Sequence, residues 1–181
     1  MHVDADAFKK LVLREVLLNS YVEKMSVAIH SDYLKEMTAN GNTDHPSAVL
    51  WEELPEEMKE SNRNQARDIA YKLKSIGYEY DSGDTPFPSI EKFDKKTVLL
   101  LAQNEHIRWW NEKIENGWKY APLNTAIDKD TAIKEMRKTK CSHLLTEWEN
   151  LEKQEQDKDI KVVENIIPLL KSIGLRVYKV I

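Results

Sequence analysis

The chain has 181 residues, of which 41% are hydrophobic and 32% are charged, and its formal net charge is −4. This length and apolar content suit one domain, or two closely packed halves, and they exclude disorder as the default state. The negative charge argues against general affinity for nucleic-acid phosphates, and a single cysteine, Cys141, excludes an internal disulfide and a cysteine-rich metal site.

The sequence also predicts a cytoplasmic protein. A lone cysteine suits a reducing compartment, and residues 1–6 are acidic where a secretory signal would be basic. The longest purely apolar run, Val98–Ala102, is too short to cross a bilayer. We therefore expect no direct membrane insertion.

Helices dominate the prediction for the first part of the chain. Apolar residues recur at spacings of three and four between Phe8 and Ile29, through Leu11, Val12, Val16 and Met25, which predicts one or two helices before Gly41. Pro55–Glu60 suits a short acidic helix that begins at the proline. Ser61 or Asn62 would then cap a longer helix.

A linker is predicted after this longer helix. The helix should end at Gly77 in the left-handed conformation, and Tyr78–Tyr80 would form a short strand. Asp81–Pro88 contains glycine and two prolines and is the clearest linker in the chain. We therefore place a first repeat at 1–80, a linker at 81–93 and a second repeat at 94–181.

The second part begins with a long helix, Asp94–Asn116, stopped by Gly117. Its core face is predicted from core spacing to follow Leu100, Ile107, Trp110 and Ile114. The remaining predictions are a turn at Trp118–Pro122, an exposed loop or helix at Asp128–Lys140, a second long helix at Lys158–Ile173 and a short strand within Leu175–Ile181.

The sequence contains an internal repeat. Trp51–Gly77 aligns without a gap over Trp148–Gly174, at an offset of 148 − 51 = 97 residues, and nine of the 27 aligned positions are identical. Helical periodicity alone would hardly match both a tryptophan and a glycine, so we infer a duplication. Two copies of a small unit usually pack about a pseudo-twofold axis with a ligand cleft between them. Trp51 and Trp148 are predicted as equivalent core anchors, and Ile69 and Ile166 as equivalent core positions.

A second face of the predicted Asp94–Asn116 helix carries side chains that could bind a ligand. Ala102, His106, Trp109 and Lys113 lie at i, i+4, i+7 and i+11, about a quarter-turn from the predicted core face. An imidazole, a flat indole and a cation on one face suit a nucleobase or another flat anion. The alternative is that His106 and Trp109 are core residues and that Lys113 snorkels outward.

Several motifs of the second repeat follow one another in the order of a known family. They are Asn104-Glu-His-Ile-Arg-Trp109, Lys113-Ile114, Gly117-Trp-Lys-Tyr120, His143-Leu-Leu-Thr-Glu-Trp148-Glu-Asn-Leu151 and the acidic stretch leading to Asp159. In this order they resemble the ryanodine-receptor repeat (RyR) domain. Residues from His45-Pro46 to Tyr80 resemble the closing half of a first copy. The first copy lacks the Gly-Trp-x-Tyr element, and a leucine follows His143 where the family has proline.

The resemblance implies a stand-alone microbial or phage-type member with two tandem copies. Its expected fold is mainly α, with two pseudo-twofold-related helical RyR-type repeats and short β-strands. Such repeats are peripheral cytosolic modules of calcium-release channels, and their microbial relatives are suspected sensors of nucleotide-derived messengers. In the tandem arrangement that the resemblance implies, the His-x-x-aromatic elements of the two copies face each other across a cleft able to hold an adenine nucleotide. The ligand-binding residues that the resemblance selects are His30, Tyr33, His106, Trp109 and Lys113. We add Trp118 and Tyr120, whose turn follows the His106 helix and could wall the cleft, and Arg108 to the candidate ligand-binding residues.

The expected function is therefore a non-enzymatic module that recognises an adenine nucleotide or a nucleotide-derived second messenger, linear or cyclic, as a sensor or a sequestering protein. No cofactor, metal or catalytic residue is expected, and neither DNA nor RNA is an expected partner. An effector or ion-transport protein and an oligomer are compatible partners. One alternative is a protein-interaction or scaffolding module without a small-molecule ligand, in which Trp109 and Tyr33 would be buried. Another is a nucleotide hydrolase that uses His106 and Glu105.

Overall fold

The computed structural model describes residues 5–39, 41, 45–83 and 85–180, without the side chains of residues 5–8, 10–15, 17 and 18. The fold is mainly helical with short strands, as predicted. The helices are α1 (Ala5–Ala39), α2 (Glu56–Ser75), α3 (Lys95–Glu115), α4 (Lys129–Lys138), α5 (Lys153–Glu164) and α6 (Ile166–Ser172). The strands are β1 (Tyr78–Asp81), β2 (Lys119–Tyr120), β3 (Cys141–Ser142) and β4 (Arg176–Lys179), and single 3-10 turns lie at Trp51–Glu53 and Trp148–Asn150. Within the described residues, no helix is long and apolar enough to cross a membrane.

The chain forms two compact units. The first contains the residues up to Glu91 together with those from Ile166 onward, and the second is Lys92–Asn165. In the first unit α1 packs on α2 and α6, and β1 pairs with β4; in the second, α3 packs on α5 and β2 pairs in parallel with β3. The final helix and strand of the second repeat therefore belong to the compact unit that holds the first repeat.

Local signals fix the ends of α3 where the sequence predicts them. The Asp94 side chain caps the helix by accepting hydrogen bonds from the amides of Lys96 and Thr97. Gly117 has a φ of 80°, and its amide donates to the carbonyl of Ile114. The chain therefore leaves the helix through a left-handed glycine.

The predicted break between a short helix and a longer one near residue 61 is wrong. A single helix, α2, runs from Glu56 with Pro55 at its N-cap. Asn62 lies inside this helix, and its side-chain amide donates to the carbonyl of Met58. An asparagine can occupy the middle of a helix when it bonds to the carbonyl four residues earlier, so it does not mark a boundary here.

The second long helix begins at Lys153, not at the predicted Lys158, and it is interrupted at Asn165. Pro168 accounts for the interruption, because proline has no amide hydrogen to donate to the carbonyl of Glu164. The segment from Lys153 to Ser172 corresponds to α2 at the same offset, since 56 + 97 = 153 and 75 + 97 = 172.

The backbone repeats at this offset as well. The amide of Leu54 donates to the carbonyl of Trp51, and that of Leu151 to the carbonyl of Trp148, each at 3.2 Å. Gly77 and Gly174 have φ values of 76° and 81°. Ile69 and Ile166 are 4% and 2% exposed, which confirms them as core positions. Trp148 is buried, whereas Trp51 is half-buried.

Strands β1 and β4 pair antiparallel, with Tyr80 opposite Val177. These two residues are themselves equivalent, because 80 + 97 = 177. An antiparallel pair centred on equivalent positions has a local twofold axis through its centre. The pseudo-twofold relation predicted for the repeats is therefore present in this strand pair of the first unit.

The stretch predicted as the clearest linker, Asp81–Pro88, is held in place. Arg176 on β4 donates to the Asp81 carboxylate at 2.9 Å, to the carbonyl of Phe87 at 2.9 Å and to Thr85. A guanidinium group has five donors in a fixed fork, so one arginine can fasten several points of a loop. Asp81 is the last residue of β1, and the described residues that follow it up to Pro88 form a loop of the first unit.

The predicted core face of α3 is wrong. Leu100, Ile107 and Ile114 are 49%, 54% and 49% exposed, and Trp110 is half-buried. The buried residues of α3 are Val98, Leu101, Ala102, Glu105 and His106. The polar residues among them have partners, described below, so this helix buries a partly polar face and exposes an apolar one.

The N-terminal stretch forms one helix, α1. Its predicted apolar positions differ in burial, since Met25 is fully buried and Val16 is strongly exposed. The side chains of Phe8, Leu11 and Val12 lie outside the described residues.

Candidate functional site

Each copy contains a buried histidine that makes the same hydrogen bond. Nε2 of His30 lies 2.8 Å from the carbonyl oxygen of Val49, and Nε2 of His106 lies 2.8 Å from that of Thr146. Both carbonyls stand two residues before the tryptophan of the copy, Trp51 or Trp148. Each imidazole also lies close to that indole, with ring centroids 5.9 Å and 6.0 Å apart. In each copy, the histidine therefore connects the preceding long helix to the segment that enters the 3-10 turn at the tryptophan. We call these 3-10 turns, Trp51–Glu53 and Trp148–Asn150, the tryptophan turns.

The aromatic residue one helical turn further on stacks against the same imidazole. Tyr33 lies 6.3 Å from His30 at an interplanar angle of 28°, and Trp109 lies 5.9 Å from His106 at 22°. The histidines are 3% and 4% exposed, whereas Tyr33 is exposed and Trp109 half-buried. The structure thus places both predicted histidines in the interior, each backing an outward aromatic ring.

In the second copy, a cation joins the aromatic residues. The Lys113 ammonium lies 5.8 Å from the ring centre of Trp109 and 4.7 Å from that of Trp118, within cation–π range of both. Trp118 is positioned by the end of α3, because its amide donates to the carbonyl of Lys113 at 2.9 Å just after Gly117. This bond pattern characteristically brings the side chain after the glycine onto the last turn of the helix. We call Trp109, Lys113 and Trp118 the indole–lysine cluster.

Besides His106, two predicted site residues of the second copy, Arg108 and Tyr120, lie outside this cluster. Arg108 is held by carboxylates on its own helix, with Nη2 2.6 Å from Glu105 and Nη1 2.6 Å from Glu112. Tyr120 lies on β2 beside Ser142 of β3 and is strongly exposed. Glu105 is itself buried, so the pair proposed for a hydrolase, Glu105 and His106, is turned to the core.

The other ring nitrogen of His106 faces a carboxylate that sequence reasoning gave no role. Nδ1 lies 3.6 Å from Oδ2 of Asp159 on α5. Nε2 carries a proton, because it donates to the carbonyl oxygen of Thr146. The imidazole therefore attracts the Asp159 carboxylate only when Nδ1 is protonated as well, or when Asp159 carries the proton and donates it to Nδ1. The offset of 97 places Asn62 at the corresponding position of the first copy, so this pair is a feature of the second copy.

The surroundings shift both pKa values. Burial opposes protonation of His106, but the interaction with Asp159 and the hydrogen bond to Thr146 outweigh it and raise the pKa of His106 above its ordinary value. Burial raises the pKa of Asp159, and the attraction of His106 opposes that rise. Glu147 also favours the imidazolium, while Glu105 and Arg108 act on Asp159 with opposite signs.

In the first copy, the aromatic residue Tyr33 contacts a hydroxyl group. The hydroxyl of Ser47 donates to that of Tyr33 at 3.0 Å, and Ser47 also lies 2.6 Å from Nδ1 of His45. Met37 occupies the position of Lys113, because 113 − 37 equals the 106 − 30 = 76 that separates the histidines. Sequence reasoning did not assign a role to Ser47.

The two tryptophan turns also differ in their partners. Trp51 lies 5.9 Å from the charged groups of Lys59 and of Arg63, both on α2. At the position of Lys59, the second copy has Gln156, which donates to the carbonyl of Trp148 at 2.9 Å. In the first copy, the cationic side chains therefore lie near Trp51 of the 3-10 turn. In the second copy, the cation Lys113 lies near the indole rings at the end of α3.

Among the described residues, no group of three or more histidine, cysteine or acidic side chains is arranged to hold a metal ion. No protein-family model matches the chain, and no curated protein matches it at a significant level. The resemblance to the RyR repeat therefore rests on the motifs quoted above.

Proposed function

We propose that the chain is a non-enzymatic, cytoplasmic binding module for a flat anionic ligand of the nucleotide type. The contact residues of this proposal are Trp109, Lys113 and Trp118 in the second copy. The observation that carries it is the position of the Lys113 ammonium, 4.7 Å and 5.8 Å from two half-buried indole rings.

The cluster supplies the two interactions that such a ligand requires. A nucleobase stacks on an aromatic side chain with little regard to its identity, and an ammonium group pairs with a phosphate through charge-assisted hydrogen bonds. His106 takes a supporting role, because its buried ring backs Trp109 and its nitrogens are engaged by Thr146 and Asp159. That the base is adenine, and that the ligand is a messenger, rests on the resemblance.

A thermal-shift screen identifies the ligand class. The compounds to compare are adenine nucleotides, cyclic dinucleotides and compounds of the cyclic ADP-ribose type. A ligand present at 100 times its dissociation constant stabilises a folded protein by about 2.7 kcal/mol. A response confined to cyclic compounds would identify a messenger sensor, and absence of any response would contradict the proposal.

Trp109→Ala is expected to weaken binding of the best ligand about tenfold or more, because base stacking contributes roughly 1–3 kcal/mol per base. Isothermal titration calorimetry measures the change. The substitution also removes a ring that stacks on buried His106, so it needs a control with a similar structural cost. Trp110→Ala is that control, since the Trp110 ring lies 6.0 Å from His106 on a neighbouring face of α3. Equal losses of affinity in both variants would show that Trp109 acts only through the fold.

Lys113→Ala is expected to lower affinity and also to flatten its dependence on salt concentration, because the ammonium neutralises a phosphate that salt otherwise screens. Titrations at low and high salt measure both effects. Lys95→Ala is the control: 18 residues earlier on the same face of α3, it lies about 27 Å away along the axis. A salt dependence that survives Lys113→Ala would contradict the phosphate contact.

A protein-interaction module is the second candidate function. The observation that favours it is the exposed apolar face of α3 with Leu100, Ile107 and Ile114. Its partner would be an effector or ion-transport protein, or another copy of the chain. If no nucleotide binds the wild-type protein, this function takes the place of the first.

A further inference from the structure

The exposed face of α3 has a symmetric order of side chains. Leu100, Gln103, Ile107, Asn111 and Ile114 follow one another at spacings of three, four, four and three. At 100° per residue, all of them lie within about 40° of Ile107 around the helix axis. The three apolar members are about half exposed, and Asn111 is exposed as well. We call these five residues the α3 stripe.

The α3 stripe is complementary to itself under one symmetry operation. A twofold axis perpendicular to the helix at Ile107 places Leu100 of one chain opposite Ile114 of the other, because each lies seven residues from the centre. The same axis places Gln103 opposite Asn111, each four residues from the centre. The apolar residues then meet apolar residues, and the two amide side chains can exchange hydrogen bonds. An isologous contact has this pattern, in which one residue meets a second and the second meets the first.

Charge distribution favours the same arrangement. The charged residues of α3 between Lys96 and Glu115 are Glu105, Arg108, Glu112 and Lys113. Each of them lies at least about 100° around the axis from Ile107, so the α3 stripe itself carries no charge. Beyond its ends, an antiparallel pairing brings Lys96 to the same end as Glu115 of the other chain, three residues or about 4.5 Å apart along the axis, whereas a parallel pairing would bring like charges together. The helix dipoles are also opposed in the antiparallel arrangement.

We propose that the chain forms an antiparallel homodimer through the α3 stripe, with the twofold axis at Ile107. This proposal is independent of the proposed ligand site, because Trp109 lies about 160° from Ile107 around the helix axis. The contact is a single helix pair, and α3 with its 21 residues is about 31 Å long. Stable interfaces bury roughly 1,200–2,000 Å², so we expect a dimer that dissociates on dilution.

Sedimentation velocity over protein concentrations from about 5 to about 500 µM measures the association, a range that covers micromolar dissociation constants. The wild-type protein is expected to shift from monomer to dimer. Ile107→Glu places two carboxylates at the twofold axis and is expected to weaken association at least about tenfold, since one such repulsion costs several kcal/mol. Leu50→Glu is the control, because Leu50 is strongly exposed but lies in the other compact unit. Circular dichroism melting verifies that both variants are folded.

Disulfide cross-linking tests the orientation. In a background with Cys141→Ser, Leu100→Cys and Ile114→Cys variants are prepared separately and mixed under mild oxidation. The antiparallel arrangement predicts that the mixed pair cross-links and that neither variant cross-links to itself. Charge exchange gives an independent readout, since Lys96→Glu should weaken the dimer and Glu115→Lys in the same chain should restore it.

Three results overturn the proposal. They are a wild-type monomer over the whole concentration range, a dimer that Ile107→Glu does not weaken, and self-cross-linking of each cysteine variant. None of these results bears on nucleotide binding, so the two proposals fail separately.

Discussion

Truncation of Ile69 or Ile166 to alanine is expected to lower the free energy of unfolding by about 2–5 kcal/mol. The two residues are 4% and 2% exposed and occupy equivalent positions on α2 and α6 of the first compact unit. Removing the branched side chain forfeits buried apolar surface and leaves a cavity that the neighbours fill only in part. Urea unfolding followed by circular dichroism measures each loss.

A substitution on the exposed side of α2 serves as the control. Tyr71 is strongly exposed, and Tyr71→Ala should change stability by no more than about 0.5 kcal/mol. Equal large losses at Ile69 and Ile166 would show that both copies use this position in the same way. A loss below about 1 kcal/mol at either residue would mean that the repeat is a likeness of sequence and backbone without a shared packing role.

Features of the fold with a local cause could be predicted from the sequence. Gly77, Gly117 and Gly174 follow helices and have positive φ values, because only glycine enters that conformation without a steric cost. The Asp94 cap is likewise decided within three residues. The copies could be aligned because a repeated Trp and Gly frame a helical segment of equal length in both, which is one helix in the first copy and two in the second.

The buried face of α3 could not be predicted in this way. Counting apolar residues favours the face with Ile107, but Glu105 and His106 lie inside. Their burial depends on Arg108 nearby and on the carbonyl of Thr146, which is 40 residues away in the chain. A buried polar group is tolerated only when it has partners, and helical periodicity contains no information about a partner from another element.

The residues of the candidate site likewise fall into those whose proximity follows from local sequence and one that only the tertiary structure brings in. His106, Trp109 and Lys113 share one helix face, so their proximity follows from spacing alone. Trp118 joins them through the helix end at Gly117, a signal that is also local. Asp159 comes from a separate helix, and only the tertiary structure brings it to His106. The sequence therefore predicted the indole–lysine cluster but not the buried pair of His106 and Asp159 behind it.

That buried pair predicts a second large effect on stability. His106→Ala is expected to lower the free energy of unfolding by about 3–5 kcal/mol near neutral pH, because it leaves a cavity and removes the partner of a largely buried carboxylate. The lost contacts are the hydrogen bond to Thr146, the stacking on Trp109 and the attraction to Asp159. Urea unfolding measures the loss, with the exposed Lys95→Ala as the control on the same helix. A loss below about 1 kcal/mol would contradict the supporting role of His106.

The pH dependence of stability tests the interaction with Asp159 directly. The folded protein holds the pKa of His106 above the ordinary value of 6.5, so the folded state binds the proton more tightly than the unfolded state. The resulting stability is fully present below pH 6.5 and is lost as the pH rises through the raised pKa. One pKa unit corresponds to about 1.4 kcal/mol.

Unfolding curves between about pH 6.5 and about pH 8 should therefore show the wild-type protein losing stability with rising pH. The lowered pKa of His143 acts with the opposite sign, but only toward the acid end of this range. Asp159→Asn should abolish that decline, because it removes the carboxylate that outweighs the cost of burying an imidazolium. Asp157→Asn, on the same helix but paired with Lys153 at the surface, should retain the decline. Since Asn62 already stands at the corresponding position of the first copy, Asp159→Asn makes the two copies alike at this point. If the Asp159→Asn protein keeps the wild-type decline, the proton is not held by this pair and the raised pKa of His106 has another origin.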